Sequence, residues 1–338
     1  MSHARRLARH AAVSARLSAY DDAALAALLD GAGAGRASIG GSTSALDVDG
    51  APLFVKRLPL TDLERRPEHV GSTANLHALP TYCQYGVGSI GFGAWRELAA
   101  HELTTRWVLA GAHAGFPLLH HARVLPRTPA PLAPAELDAF VAEWGGSSAV
   151  GARRAAMAAS SASLVLVMER VPHTLRDWLG ARVAAGGDEA ASACARVERQ
   201  LADGVAFMNA RGLLHFDAHV DNLLTDGDAL YFADFGLALG ADFALSAAER
   251  DFFAQHAAYD RHYSATLLTR WLLTALLGGT PAERDDVLRR SAAGLPCPEL
   301  TDHVAALVSR HAPIAVIMSD FLRDLQTNKR TPYPPSLR

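Results

Sequence analysis

Residues 213–239, LLHFDAHVDNLLTDGDALYFADFGLAL, constrain the chain more than any other stretch. Two short apolar runs, 222–225 and 229–233, flank Asp226-Gly227-Asp228. Asp-Gly between apolar runs is a hairpin signal. The hairpin carries Asn222 at its entrance and Asp234 at its exit, so both side chains arrive at one end. An amide oxygen and a carboxylate brought together in this way suit a hard cation such as Mg2+. Asp217 lies five residues upstream of Asn222, within reach of a proton from a nucleophile that faces the metal. An Asp-Phe-Gly triplet alone would be an acidic turn beside a buried hairpin. His215, Asp217, Asn222 and Asp234 in order, with a hairpin among them, specify more than that.

Bulk properties exclude several classes. At 338 residues the chain holds one large or two modest domains. The net charge of −3 and a pI near 6.6 offer no electrostatic case for nucleic acid or anionic membrane as a partner. Cys83, Cys194 and Cys297 are odd in number and far apart, which fits a reducing, cytoplasmic setting. Residues 1–20 are rich in Arg and Ala without a continuous apolar core, so a solvated leading helix is expected rather than a secretory signal. No run of about 18 apolar residues is present, and no membrane span is expected. Of the 32 basic residues only Lys56 and Lys329 are lysine. In an Arg-dominated chain, a lysine marks a position that requires the compact ammonium.

Taken in order, residues 21–32 read as a short helix with an acidic start and a Gly stop. Two strands are expected around a loop at Gly40, Gly41, Ser42 and Thr43, then an Asp49-Gly50 turn and a third strand bearing Lys56. Residues 57–93 lack periodicity. Their end, Gly86-Val87-Gly88-Ser89-Ile90-Gly91, fits the dinucleotide-loop pattern, but no strand precedes it, so it reads as the approach to the next helix. That helix covers 94–110. Its Glu97 and Glu102 point about 140° apart, and Glu97 is nearer the N-terminal end. A strand is expected over 116–125, a Pro/Ala-rich insertion after it, and a buried strand over 164–171. Helical patterns fill 175–211, then 246–258, 261–277, 281–293 and 299–325, the last broken near Pro313.

The motifs resemble the protein-kinase-like superfamily. His215-x-Asp217-x-x-x-x-Asn222 has the spacing of its catalytic loop, and Asp234-Phe235-Gly236 is its metal-binding triplet. The resemblance implies an α+β, two-lobed fold with a small β-rich N-lobe and a mainly helical C-lobe. It divides the chain into an N-terminal helical extension (1–34), an N-lobe (35–171) with insertions at about 57–93 and 126–160, a helical C-lobe (172–326) and an extended tail (327–338). It further implies ATP and Mg2+. Gly40, Gly41, Ser42 and Thr43 would wrap phosphates, and Lys56 would pair with them, held by Glu97 or Glu102. Met168 would lie behind the adenine, with the backbone of Glu169 and Val171 at its edge. Asn222 and Asp234 would hold the metal, while Asp217 would accept the proton of the attacking hydroxyl. His215 would pack beneath the loop.

His219 bears on the acceptor. Protein kinases that act on Ser/Thr usually place lysine two residues after the catalytic aspartate. His-x-Asp-x-His-x-x-Asn resembles aminoglycoside, choline and related small-molecule phosphotransferases. No Ala-Pro-Glu follows Asp-Phe-Gly, and helix resumes at Ser246, which leaves little platform for a peptide. A small hydroxylated substrate is therefore expected. The intact Asp-Phe-Gly-Leu-Ala points instead to a protein or peptide acceptor, and a nucleotide-binding pseudokinase scaffold is the alternative of another class.

Overall fold

Asp-Gly turns and a doubly apolar strand set the architecture. The computed structural model describes residues 3–31, 36–38, 41–86 and 88–338. The chain is an α+β protein with an antiparallel sheet in its N-terminal part and a helical C-terminal part. It divides into two compact units, Met1–Arg170 with Phe235–Arg250, and Val171–Asp234 with Asp251–Arg338. The segment after Asp234 thus belongs with the N-terminal unit, a return that the sequence divisions above did not include.

The first unit is built on strands β1 (Arg36–Ser38), β2 (Gly41–Val48), β3 (Ala51–Leu60), β4 (Leu119–Pro126) and β5 (Ala162–Glu169). Their order is β1-β2-β3-β5-β4, with every neighbouring pair antiparallel. Asp49 and Gly50 close β2 onto β3 with φ of 53° and 77°, the backbone sign that a tight hairpin turn needs. β5 is buried from Ala162 to Met168 because both faces of the sheet are covered. Val165 and Val167 pack with Leu53 and Val55 against α1 (His3–Ser18) and α2 (Asp22–Asp30). Leu164, Leu166 and Met168 face the other way, with Leu58, onto Ala94 and Trp95 of α3 (Ala94–Leu109). The period of two in a strand explains this split.

Three expectations are corrected here. The leading helix is solvated on one face only. Val13 and Leu17 of α1 lie in the core, and buried Arg6 donates to both carboxylate oxygens of Glu169, to the Ala114 carbonyl at 2.7 Å and to the Phe116 carbonyl. Gly41, Ser42 and Thr43 are not in a loop; they begin β2, in register with Ser38, Ala37 and Arg36, while Gly40 lies outside the described residues. Gly41 has φ of +149°, and an added Cβ would overlap the Arg57 carbonyl, so β3 approaches too closely for any other residue. Residues 57–93 form a packed segment with one-turn helices at Pro67–His69 and Thr81–Gln84. Their side chains, not their periodicity, hold them in place.

The 126–160 insertion forms α4 (Pro134–Glu143) and α5 (Ser148–Ala159). Buried Arg153 of α5 donates to the Gly91 carbonyl at 2.8 Å, tying the two insertions together.

The second unit opens with β6 (His173–Thr174), α6 (Leu175–Ala185) and α7 (Gly187–Asn209). After β7 (Leu213–Leu214), β8 (Leu223–Thr225) and β9 (Leu230–Phe232) form the expected hairpin, to which β6 adds a third strand. α8 (Ala247–Gln255) begins in the first unit and ends in the second. α9 (Tyr259–Leu277), α10 (Pro281–Ala292) and α11 (Asp302–Thr327) complete the fold. α11 runs through Pro313 unbroken, contrary to the sequence expectation. A proline inside a helix costs about 3 kcal/mol; Val308, Ala312 and Ala315, fully buried around it, keep the helix in register. By length and composition α11 alone among the described residues would suffice to cross a membrane, yet its Val304, Val308 and Ala315 pack in the core with Leu273 and Leu288. The tail is docked rather than free: Tyr333 is buried against His256, Tyr259 and Phe321.

Candidate active site

The hairpin brings its polar ends together as its sequence requires. The Ala233 N–H donates to the Asn222 carbonyl at 3.0 Å, closing the ladder immediately before Asp234. Asp226 stabilises the turn by accepting from the Asp228 and Ala229 N–H groups and from the Tyr231 hydroxyl. Asp234 is exposed and left-handed, with φ of 61°. Such a backbone costs on the order of 1 kcal/mol or more for a residue other than glycine, and persists only where the surroundings fix it.

The loop before the hairpin is fixed from below. Phe216 has φ of 63°, and its ring is stacked on Tyr259 with centroids 4.7 Å apart. Asp260, fully buried in α9, accepts from the backbone N–H of His215 at 2.7 Å and of Phe216 at 2.8 Å. Burial raises the Asp260 pKa, and these two bonds oppose the shift. His215 is also fully buried. Its Nε2 lies 3.0 Å from the Ala233 carbonyl, and its Nδ1 accepts from the Asp217 N–H at 3.3 Å. Burial lowers its pKa against the pull of Asp260, Asp217 and Asp234, so it is a neutral strut linking the loop to the hairpin.

Asp217 is half-buried and engaged on both oxygens. Oδ2 accepts from Asn222 Nδ2 at 2.9 Å, and Oδ1 accepts from the Tyr263 hydroxyl at 3.1 Å. An asparagine whose nitrogen is used in this way offers its oxygen to a cation. Asn222 Oδ1 and the Asp234 carboxylate are oxygen donors of the kind a hard cation such as Mg2+ takes. His219 Nε2 lies 3.7 Å from Asp217 Oδ1, and its Nδ1 lies 3.5 Å from Asp221 Oδ2. Burial disfavours charge on His219, but Asp217, Asp221 and Asp234 outweigh it and raise its pKa. Asp221 is held in turn by Arg176 of α6.

In the first unit, Lys56 Nζ lies 2.6 Å from Glu97 Oε1, both side chains buried, while Glu102 is exposed on the far side of α3. The Thr43 position is directly across the ladder from Lys56. Met168 is packed in the core beneath this part of the sheet. The Glu169 N–H donates to the Leu118 carbonyl at 2.8 Å, and its carboxylate serves Arg6. Val171 opens the second unit.

Sequence reasoning missed several residues that hold these groups. Asp260 and Tyr263 sit in an ordinary helical pattern whose only signal is a carboxylate in an apolar stripe. Glu64, buried in the first insertion, accepts from the Ala94 N–H at 2.8 Å and so caps α3 at its N-terminus. The next residues of that helix hold the segment after Asp234. Arg96 donates to Glu249 at 2.7 Å and to the Thr73 carbonyl at 2.6 Å, and Thr73 Oγ1 accepts from the Ala244 N–H at 2.9 Å. Gln84 donates to the Leu237 carbonyl. At Gly91, with φ of +66°, an added Cβ would lie 2.7 Å from the Gly236 carbonyl. Phe235 completes the packing edge-on to His101 of α3.

No protein-family model matches the chain, and no curated protein matches it either.

Proposed function

We propose that the protein is an ATP- and Mg2+-dependent phosphotransferase of two-lobed, protein-kinase-like fold, acting on a hydroxyl of a small molecule. The observation that carries this is Asp217, held between Asn222 and Tyr263 at the polar end of the hairpin that bears Asp234. Phosphoryl transfer asks a protein for alignment and charge neutralisation rather than covalent chemistry. Asn222 Oδ1 and Asp234 would hold Mg2+, which supplies neutralisation of phosphate charge. Lys56, kept in line by Glu97, would meet the phosphates. The acceptor oxygen forms a bond to the γ-phosphorus, the bond from that phosphorus to the β,γ-bridging oxygen breaks with its electrons leaving on ADP, and the hydroxyl proton passes to Asp217. His219, its charge favoured by Asp217, Asp221 and Asp234 against burial, would add positive charge beside the transferring group when protonated.

A small acceptor is favoured because backbone groups of the segment after Asp234 are already used. Gln84 takes the Leu237 carbonyl and Thr73 the Ala244 N–H, so neither is available to pair with an extended peptide. The intact Asp234-Phe235-Gly236-Leu237-Ala238 favours the second reading, a protein or peptide acceptor. Incubation with γ-labelled ATP and Mg2+ separates them. Label transferred to aminoglycosides, nucleosides or choline-like alcohols supports the first, and label only on polypeptide supports the second. Nucleotide-induced stabilisation without any turnover would leave a binding scaffold.

A further inference from the structure

Apart from these residues, the second unit contains a cavity of about 740 Å3 walled by α7, α9 and α11. This volume lies within the range of small-molecule sites, roughly 300–1,000 Å3. Its apolar wall is made of short aliphatic side chains, among them Ala202 and Ala206 of α7, Leu268 of α9 and Ile314 of α11. Among the described residues no Phe, Tyr or Trp lines it, and its rings are the imidazoles of His262 and His311. Ala195, Ala202 and Ala206 share one face of α7, and at the helical rise the trough runs for about 16 Å between the first and the last. A methylene chain fits along such a wall.

The polar lining fixes the sign of the ligand. Arg199, Arg261 and Arg310 face a single carboxylate, Glu198. Glu198 is already engaged, since Arg310 donates to it and His311 Nε2 lies 2.7 Å away. Arg199 and Arg261 are exposed, and neither pairs with a carboxylate among the described residues. Arg261 Nη2 lies 3.4 Å from His262 Nε2, and the remaining N–H groups of Arg199 and Arg261 beside an apolar trough are suited to an anion.

We infer that this trough binds a single-chain aliphatic carboxylate, its chain along the alanine wall and its head at Arg199 and Arg261. The site is separate from the phosphotransfer residues and stands whether or not the chain transfers phosphate.

The test is calorimetric titration of the full chain with sodium dodecanoate below its micellar concentration, with dodecyltrimethylammonium as the cationic control. Saturable binding of dodecanoate at one site, at least tenfold tighter than the cation, is expected. Ala202→Trp and Ala206→Trp, at exposed positions that tolerate bulk, should each weaken it at least tenfold with an unchanged unfolding midpoint. The Arg199→Glu/Arg261→Glu pair should abolish the preference for the anion. Absence of saturable binding, equal binding of the cation, or affinity undiminished in both sets of variants would overturn the assignment. Sedimentation with phosphatidylglycerol vesicles but no binding of monomeric dodecanoate would also overturn it, in favour of a membrane surface.

Discussion

The Tyr263 hydroxyl donates to Oδ1 of Asp217 from a position three residues after Asp260, whose carboxylate holds the backbone of His215 and Phe216. Residues three apart share a helix face. One turn of α9 therefore supports both the backbone of the loop and the orientation of its aspartate. Burial, followed by Asp217 and Asp260, raises the Tyr263 pKa well above that of an ordinary phenol, so the hydroxyl remains a donor throughout the neutral range.

Tyr263→Phe removes this bond and little volume. A hydrogen bond to a charged group is worth about 1.5–3 kcal/mol, so kcat should fall roughly ten- to a hundredfold. The KM for ATP should hardly change, because Tyr263 contacts the aspartate and not Lys56. Steady-state kinetics check this, and a rise in KM with kcat intact would speak against a role in orienting Asp217.

Asp260→Ala leaves two buried N–H groups without their acceptor, beside a left-handed Phe216. A loss of about 3 kcal/mol in unfolding free energy is expected. Urea denaturation measures it; a loss under 1 kcal/mol would mean that the loop holds its shape unaided.

Arg96 and Glu249 are both buried, and α3 is anchored by their pair next to Glu97. Breaking such a pair from one side costs about 3–5 kcal/mol. Arg96→Met and Glu249→Leu should each be more damaging alone than together, in a double-mutant cycle read by thermal unfolding. Burial alone would raise the Glu249 pKa, but the Ser246 N–H and Arg96 outweigh it and lower it. The stabilisation is therefore complete above the ordinary glutamate range and is lost as pH falls through the lowered value.

His219 titrates in the opposite sense. Its raised pKa means that the stabilisation from its charge is complete below the ordinary histidine value of 6.5 and is lost as pH rises through the raised one. Imidazole NMR titration should give a midpoint above 6.5, and Asp221→Asn should lower it. If His219 assists transfer, kcat should decline over the same interval in the parent and be flat there in His219→Ala.

Local chemistry made part of this legible from sequence. The Asp226-Gly227 and Asp49-Gly50 turns announced both hairpins, and the scarcity of lysine singled out Lys56. Both lysines of the chain, Lys56 and Lys329, are in fact buried. What stayed hidden depends on partners remote in sequence. Arg6 finds Glu169 across 163 residues, and Arg96 finds Glu249 across 153, with no local pattern to mark either. The first insertion looked featureless because single side chains such as Glu64, Thr73 and Gln84 hold it, rather than an amphipathic face. Gly41 answers the close approach of Arg57 and not a turn, a requirement set by a neighbouring strand that no local sequence signal marks.

The most direct measurement is Mg2+-dependent loss of the γ-phosphate of labelled ATP in the presence of a panel of small alcohols, for the parent chain and for Asp217→Asn and Asp234→Asn. The expected result is transfer to at least one alcohol that requires Mg2+, falls by more than a hundredfold in Asp217→Asn, and is lost in Asp234→Asn. Absence of transfer to any acceptor, or transfer that persists in both variants, would contradict the phosphotransferase assignment.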